Sequence, residues 1–557
     1  MISHDQPPRS PRWWLVALLA IFLFRLLFGL SSSFFGEDET QIFLIGLRYS
    51  ATGAWPYFGP DVVWTTSEIP GALQGLLVGL PMRLWPIPEA PFLLLNILSM
   101  ASVAALCWYI VRRLPSLPRW LVWGWVMTMP WTLQYSTHVY NPSYVLPGAV
   151  VFFIGFFEAV PVFSLGLIRS PVAFAMMGAG IAWIAQIHMS YPLLLPYAAI
   201  ALLVSWRSSR SATPLAWNTL GLIAGALGPG LTLIPTWVHY GLASGSGGTL
   251  RNLKLHVVAP WAAITILARF LSFASLEVNR FIATDGAKRL VFFERHLWLA
   301  PFAAVVWAAG LVQPLWMFRE WFRTSAPRPD WKALKWLVVA TIVLVYLSYW
   351  WVMEPSQAHA FYAVAPIAIV FAAYCWTFVD SQAWRRVAAV LLGVNAVFEI
   401  GLVRARAPER ALDSNRPVVA AAVRLREPEM FAHRRLFAIG GGPVALEDPS
   451  RPYEPSRDLQ VSDAACTSGR DGVLLWTFTL RNGNPRVAFR DVLYQTSYPA
   501  NVGQPADERH EFIRQVFQPF ESDRIEVNDG FAAGASCVGA TLSVLSAEAL
   551  LPYAPPS

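Results

Sequence analysis

The sequence predicts a polytopic α-helical membrane protein with a small α/β or β-rich domain at its C-terminal end. The chain of 557 residues is 55% hydrophobic and only 14% charged, whereas soluble domains carry about 25% charged residues. Apolar runs of about 17–25 residues, each long enough to cross about 30 Å of hydrocarbon, recur as far as residue 403. Residues 404–557 are instead charged and rich in Pro and Gly, which predicts a separate soluble domain.

The apolar runs of the first 403 residues divide into eleven candidate spans. They cover residues 13–31, 88–111, 119–136, 144–168, 171–188, 190–206, 215–238, 297–318, 336–352, 360–379 and 387–403. With these spans, six Arg-rich segments fall on one side of the membrane, and cytoplasmic loops are rich in Lys and Arg. We therefore expect a multi-pass membrane protein with its C-terminal domain extracytoplasmic. The formal charge of +7 is assigned to topology rather than to nucleic-acid binding.

Two further apolar segments are not counted as spans. Residues 69–85 are short and contain Pro81, and a crossing there would force the Arg-rich loop 112–119 outside. This segment is predicted to lie in the membrane interface. Residues 256–283 contain Arg269 and Glu277 and are predicted to be amphipathic or re-entrant, within a long outer loop of about 239–296.

The C-terminal region, 404–557, contains two strand-like stretches, residues 472–482 and 523–528. Cys466 and Cys537 lie in this region, and an extracytoplasmic location would favour a disulfide between them. Cys107 and Cys375 lie in apolar runs and are predicted to be buried, small side chains.

Polar residues at the ends of the spans gather on the outer side. The outer loop 32–87 contains the acids Asp38 and Glu39, and further polar side chains follow at the later span ends: His138, Tyr140, Asn141, His188 and His359. One such residue alone is explained by anchoring of a helix end. Their joint placement predicts a cavity at this face.

The acids that follow the first span have two explanations. Glu37, Asp38 and Glu39 precede an apolar helical run, and acids at a helix start interact favourably with its dipole. The alternative is a catalytic pair at the edge of a lipid-facing cavity, because a carboxylate can take the proton of an attacking hydroxyl.

The arrangement resembles the GT-C glycosyltransferases of membranes, in particular the bacterial relatives of protein O-mannosyltransferases and of the aminoarabinose transferase that modifies lipid A. The matching residues are Asp38-Glu39, then Arg48 and Gly53-Ala54-Trp55, then the Pro-containing segment 68–85. Tyr362 and Pro366 match the start of a late helix of that family. The resemblance covers the architecture of residues 1–403 and few residues in motif.

The resemblance implies transfer of a sugar from a polyprenyl-phosphate carrier to a glycan, lipid or protein acceptor. By this match Asp38 is the general base, Glu39 orients it or binds a substrate hydroxyl, and Arg48, Trp55 and Tyr362 belong to the substrate site. Where many relatives have Lys, this chain has Glu68. Phosphate contacts are therefore expected from Arg48 or from cations of the outer loop, which include Arg251, Lys254, His256, Arg269 and Arg280.

No cofactor is predicted, although a divalent metal beside the acids remains possible, without a tight ligand spacing such as HxxxH or DxD. Two other functions stay open: a transporter or flippase of lipid-linked glycans, and a non-catalytic membrane scaffold. A transporter should show charged or broken helices near the bilayer midplane, often in two related halves. The sequence has no such internal repeat, and its acids lie at the outer interface.

Overall fold

We analysed a computed structural model of the chain. It describes residues 13–32, 37–61, 68–209, 212–241, 257–283, 286–323, 329–351, 358–407, 455–468, 473–484, 488–499, 507–513, 515, 517, 520–531 and 536–550. Two compact units are present, one of Met1–Tyr49 with Ala54–Arg410 and one of Ser50–Gly53 with Ala411–Ser557. The last helix of the first unit continues to Arg406, and the predicted domain boundary at 403/404 stays a prediction.

The first unit is helical. Its α-helices are α1 Trp13–Ser32, α2 Glu37–Thr52, α3 Leu73–Leu84, α4 Ala90–Arg113, α5 Arg119–Thr128, α6 Pro130–Thr137, α7 Val145–Ala159, α8 Ser170–Ala185, α9 Leu195–Ser209, α10 Ala212–Gly230, α11 Ile234–Tyr240, α12 Ala262–Ser272, α13 Val278–Ile282, α14 Gly286–Arg295, α15 Ala300–Arg323, α16 Pro329–Ser348, α17 Ala365–Val379 and α18 Gln382–Arg406. Short 3₁₀ turns occupy Asn141–Tyr144, Tyr191–Leu194, Ser275–Glu277, Leu297–Leu299, Tyr349–Trp351 and Ala358–Val364.

Seven helices of the described residues are long and apolar enough to cross a membrane, or up to nine if each of two bent pairs is one span. The multi-pass helical architecture is therefore confirmed, whereas the count of eleven is not. α3 has only 12 residues, which agrees with the prediction that segment 69–85 does not cross. The predicted re-entrant segment consists of α12 and the Ser275–Ile282 helix, which meet at a bend of 102°.

The predicted continuous span 119–136 is wrong, because the chain breaks between α5 and α6 at Met129–Pro130. Pro130 has no N–H to continue the helix, and the residue before a proline disfavours helical geometry. Such a break leaves backbone carbonyls without partners, which is costly away from water.

Arg25 of α1 supplies a donor for one of these carbonyls, that of Met127, and bonds to α6 as well. Its guanidinium group is fully buried and donates to the carbonyl oxygens of Met127 at 2.7 Å and Thr132 at 3.2 Å. It also donates to the hydroxyl groups of Ser136 at 2.7 Å and Ser99 at 3.2 Å. A charged residue in an apolar span is thus explained here by its contacts with a broken neighbouring helix, and the Arg25 side chain is enclosed by protein.

The segment after α2 docks on the bent pair α10–α11. It forms a two-stranded antiparallel sheet of β1 Phe58–Asp61 and β2 Glu68–Pro70. The Tyr57 carbonyl accepts from the Gly71 N–H at 2.9 Å and from the Thr236 hydroxyl at 2.6 Å. Gly71 has φ +111°, and a Cβ there would lie 2.4 Å from the Gln186 side-chain oxygen, so this close approach requires glycine.

The second unit is a β-sandwich with a helical turn, α19 Pro455–Asp458. Its six strands are β3 Leu459–Ser468, β4 Val473–Asn482, β5 Ala488–Tyr498, β6 Asp507–Ile513, β7 Ser522–Phe531 and β8 Thr541–Leu550. They pair antiparallel in two sheets ordered β3-β4-β7 and β6-β5-β8. Both predicted strand segments are confirmed, within β4 and β7.

Two polar links join the elements of this sandwich. Cys466 and Cys537 form a disulfide, the pair that the sequence suggests, whereas Cys107 and Cys375 are free and buried. Tyr498 of one sheet donates to the buried Asp529 carboxylate of the other at 2.5 Å and accepts from the Trp476 indole N–H at 2.8 Å. Polar groups inside the core are thus paired across the two sheets.

Candidate functional site

Tyr135, at the C-terminal end of α6, is the centre of an aromatic cluster. Its ring centroid lies 5.9 Å from that of Tyr362, 6.0 Å from that of His359 and 6.2 Å from that of Tyr140. The His359 ring in turn lies 6.5 Å from the His188 ring. Span ends that are far apart in the sequence therefore meet at one place, as the threading of the membrane predicts.

Glu277 accepts hydrogen bonds from Tyr135 of this cluster and from two other segments. Its buried carboxylate accepts from the Tyr135 hydroxyl at 2.8 Å, from the Ala358 N–H at 3.1 Å and from Arg269 Nε at 3.2 Å. Buried carboxylates are expensive unless they are paired and hydrogen-bonded in this way. Glu277 thereby links the re-entrant segment to α6 and to the 3₁₀ turn Ala358–Val364 that precedes α17.

The bend between α12 and α13 brings Glu277 into position. Phe273 and Ala274 both have left-handed backbone conformations, φ 53° and φ 64°, which L-residues adopt at a cost of about 1–2 kcal/mol each. The turn is held by the Trp131 N–H, which donates to the Phe273 carbonyl at 3.0 Å, and by the Glu277 N–H, which donates to the Ala274 carbonyl at 2.9 Å. Strain of this kind persists where surrounding contacts fix it, often at functional sites.

Positively charged side chains, Arg269 and Arg280, belong to the region around the Glu277 carboxylate. The Arg269 side chain is about one quarter exposed, so part of its guanidinium group stays accessible while Nε is paired. Arg280 is half-buried and close enough to Tyr135 and His359 to act on both electrostatically. The Tyr349 hydroxyl is buried near Arg269 and has no hydrogen-bond partner in the described part of the chain. Arginine and hydroxyl donors together suit an anionic group that carries several oxygens.

His138 links the cluster to the end of α1. The Ser32 hydroxyl donates to the Phe28 carbonyl at 2.5 Å, so it accepts from His138 Nε2 at 2.6 Å, while Gln134 Nε2 donates to His138 Nδ1 at 3.3 Å. These bonds assign the neutral tautomer with its proton on Nε2. Burial, with a smaller effect of the Arg406 charge, lowers the pKa of His138 to about 3. His138 is therefore a buried group with both ring nitrogens hydrogen-bonded, and its role in substrate binding stays a prediction.

Arg406, in the last helix α18, contacts the end of α1 beside His138. Its guanidinium group is buried and donates to the carbonyl oxygens of Ser32 at 3.3 Å and Ile282 at 3.0 Å. These carbonyls end α1 and α13, and cations at helix C-termini are favourable. The ends of three elements thus meet beside His138.

The two predicted catalytic acids, Asp38 and Glu39, lie in the first turn of α2. Asp38 is the second residue of this helix, but its side chain lies outside the described residues, whereas Glu39 is half-buried. Asp38 follows Ser32 by six positions, so even an extended chain keeps the Asp38 backbone within about 20 Å of Ser32, which bonds to His138. The chain connectivity therefore restricts the acids to the end of the bundle that carries the Tyr135 cluster.

The other predicted substrate residues divide by exposure. Tyr362 is buried in the cluster, whereas Tyr140, Asn141, His188 and His359 are half-buried. His188 Nδ1 accepts from the Ser190 N–H at 3.1 Å, and burial lowers the pKa of His188 to about 4.

The remaining predicted site residues lie on α2 and on the segment that follows it, or outside the described residues. Arg48 is exposed on α2, Trp55 follows α2 and is half-buried, and Glu68 begins β2 and is half-buried. Arg251, Lys254 and His256 lie outside the described residues. Within the described ranges, no group of three or more His, Cys, Asp or Glu side chains could hold a metal ion.

Tyr135, Glu277 and Arg406 were not predicted from the sequence as site residues. Glu277 carried a usable signal, because an acid inside an apolar segment is a functional candidate by itself. Tyr135 and Arg406 carried none, since Tyr at a span end and Arg after a span are both ordinary features of membrane proteins.

The fold can be compared with solved structures. ArnT from Cupriavidus metallidurans bound to undecaprenyl phosphate matches with 11% identity and a TM-score of 0.46, over 74% of this chain and 79% of ArnT. Arabinosyltransferase EmbB from Mycobacterium smegmatis matches with 10% identity and a TM-score of 0.37, over 99% of this chain and 66% of EmbB. The Archaeoglobus fulgidus oligosaccharyltransferase matches with 12% identity and a TM-score of 0.36, over 72% of this chain and 56% of that protein.

All three are GT-C glycosyltransferases, the class that the sequence around Asp38-Glu39 resembles. No protein-family model matches the chain, and no curated protein matches it. At 10–12% identity, residue roles are not carried over from these structures. The roles discussed below are argued from this chain's own contacts.

Proposed function

We propose that the protein is a membrane glycosyltransferase of the GT-C type. It moves a sugar from a polyprenyl-phosphate carrier to an acceptor hydroxyl at the outer face of a bacterial inner membrane. The observation that supports this most directly is the cluster around Tyr135 and Glu277, which collects arginine, tyrosine and histidine side chains at the end of the bundle where α2 begins. The acceptor class, glycan, lipid or protein, stays open.

Asp38 is the proposed general base. As the acceptor oxygen bonds to the anomeric carbon, its proton passes to the Asp38 carboxylate, and the bond between the anomeric carbon and the lipid phosphate oxygen breaks. A positioned base of this kind contributes about 10²–10⁴-fold to a rate. Glu39 is proposed to orient Asp38 or to bind a substrate hydroxyl.

The leaving phosphate gains negative charge in this step and needs donors that are already in place. We assign this role to Arg269 and Arg280, which replace the lysine that is absent at Glu68. Glu277 holds Arg269 Nε, which orients the guanidinium group and leaves its outer nitrogens for the phosphate. His188, His359 and Tyr140, which are all half-buried, are proposed to contact the sugar or the phosphate.

The test is the substitution Asp38→Asn, with Glu37→Gln as the matched control at the same helix start. Purified protein in vesicles is given a radiolabelled undecaprenyl-phosphate-linked sugar, and the label transferred to acceptor is counted at equal protein abundance. We expect Asp38→Asn to lose transfer at least about 100-fold and Glu37→Gln to remain near the parent rate. A normal rate for Asp38→Asn would remove Asp38 as the base and leave helix capping as its role.

A transporter or flippase of lipid-linked glycans is the second candidate, and the bent pairs α10–α11 and α12–α13 favour it. The same vesicles separate the two functions. Transbilayer movement of the labelled carrier without formation of a new glycosidic bond would support transport and contradict the proposed transferase.

A further inference from the structure

Arg406, the last residue of α18, bonds to two segments of the proposed site at once. Its Nη1 donates to the Ser32 carbonyl at the end of α1 at 3.3 Å, and its Nη2 donates to the Ile282 carbonyl at the end of α13 at 3.0 Å. The side chain is buried, with 5% of Arg406 exposed. The guanidinium group is rigid and planar, so one group sets the distance between these two helix ends.

The Ile282 side of this contact belongs to the re-entrant segment. α13 has only five residues, Val278–Ile282, and so short a helix is not stable without outside contacts. It carries Arg280, which is proposed to bind the leaving phosphate. The Tyr135 hydroxyl holds Glu277 just before this helix, and Arg406 holds its C-terminal end. The placement of Arg280 therefore depends on both contacts.

The Ser32 side of the contact leads to the acids. Ser32 is fully buried, and both its polar groups are bonded: the hydroxyl to His138 Nε2 at 2.6 Å and the carbonyl to Arg406. Asp38, the proposed base, follows six positions later in the chain. The last residue of α1 is thus fixed from two sides before the chain continues to the base.

We propose that Arg406 is a positioning residue for sugar transfer, which sets the separation between the end of α1 that leads to Asp38 and the helix that carries Arg280. This proposal rests on the transferase function proposed above. Reacting groups must be held about 3–3.5 Å apart and aligned, and a misplacement of about 1 Å costs about 10²-fold in rate. Arg406 acts through the two carbonyls and does not touch the substrate.

The kinetic test uses Arg406→Gln and Arg406→Lys in the full-length protein, with Arg404→Gln as the matched control, because Arg404 lies on the same helix end and is exposed. Transfer from a radiolabelled undecaprenyl-phosphate-linked sugar is measured in vesicles over a range of carrier concentrations, per amount of folded protein. We expect Arg406→Gln to lower kcat about 10²-fold. KM for the carrier should rise far less, because Arg269 stays paired with Glu277.

Arg406→Lys separates positioning from charge. Lysine keeps the buried positive charge, but a single ammonium group lacks the planar fork that reaches both carbonyls. We expect it to fold normally and to regain less than about a tenth of the lost kcat. Arg404→Gln should keep the parent kcat.

Amide hydrogen exchange of the full-length protein gives a second readout that needs no activity. Since one group bonds to both helix ends, Arg406→Gln should accelerate exchange of segments 278–283 and 28–32 together, at least about tenfold. Arg404→Gln should change neither segment. Unchanged exchange of either segment in Arg406→Gln would overturn the proposal even if its kcat could not be measured.

The outcomes also distinguish this proposal from the transferase itself. A parent protein that forms no glycosidic bond would contradict the transferase and the positioning role with it. If the parent protein transfers sugar, a parent-like kcat for Arg406→Gln, or full activity of Arg406→Lys, would overturn the positioning role and leave the transferase in place.

Discussion

The carboxylate of Glu277 allows the sharpest test of the site, because it accepts from three donors on three different segments: the Tyr135 hydroxyl, the Ala358 N–H and Arg269 Nε. Glu277→Gln keeps the size of the side chain: its amide oxygen can still accept from the Ala358 N–H and Arg269, and its amide N–H₂ can donate to the Tyr135 oxygen. Only the charge is lost. Hydrogen bonds to charged groups contribute about 1.5–3 kcal/mol and neutral ones about 0.5–1.5 kcal/mol, so we expect a loss of about 2 kcal/mol.

Glu277→Ala removes the acceptor altogether. The Tyr135 hydroxyl and the Ala358 N–H are then buried without partners, at about 1–3 kcal/mol each, and Arg269 loses its counter-charge. Because the Arg269 side chain is about one quarter exposed, water compensates part of that last loss. The alanine variant should therefore be destabilised by about 4 kcal/mol, clearly more than the glutamine variant.

Amide hydrogen exchange of segment 358–364, followed by mass spectrometry on the full-length protein, measures this effect where it occurs. A loss of about 2 kcal/mol corresponds to about 30-fold faster exchange through local opening, and Glu277→Ala should exceed that. Glu294→Gln, the same chemical change on the exposed surface of α14, should leave the segment unchanged. Exchange in Glu277→Ala no faster than in the parent protein would refute the view that Glu277 holds this turn.

Two further predictions concern buried polar groups outside the site. Arg25→Met should leave the Met127 carbonyl without its donor, at about 1–3 kcal/mol, whereas the Thr132 carbonyl keeps the Ser136 hydroxyl. The yield of folded protein by size-exclusion chromatography should fall, whereas Leu23→Met on the lipid-facing side of α1 should be neutral. Tyr498→Phe should cost the β-sandwich about 1–3 kcal/mol, because Asp529 loses a donor and Trp476 an acceptor. Faster amide hydrogen exchange of strand 522–531 would show this loss. The control is Tyr494→Phe, whose hydroxyl donates to Glu511 at 3.3 Å and whose loss should have a smaller effect. Equal exchange in both variants would contradict the role given to the Tyr498 hydroxyl.

Much of the site's location could be predicted from the sequence. Threading by Arg-rich loops placed His188, His359 and Tyr140 at one end of the bundle, and the structure brings them around Tyr135. The threading could not show that His138 is enclosed by Ser32, Gln134 and Arg406. Exposure depends on which neighbours surround a side chain, and two of these three, Ser32 and Arg406, lie more than a hundred positions from His138 in the sequence.

The sequence by itself determined the class of architecture. Long apolar runs must pair their backbone groups within helices inside a bilayer, and alternating, β-branched stretches with two cysteines suffice to predict a strand-rich domain after residue 403. These are local properties of chain segments, so they can be seen without knowing what lies beside them.

Only the tertiary structure decided where the chain breaks and what the breaks serve. Arg25 was a costly charge in an apolar span until the interrupted helix at Met129–Pro130 supplied its acceptors. From the sequence, Glu277 is an acid in a segment that could be amphipathic or re-entrant. In the structure, two residues with left-handed backbone conformations direct it towards Tyr135. In both cases a buried polar group is stable only if a distant segment provides its partner, and that pairing is a property of the fold rather than of any single stretch of sequence.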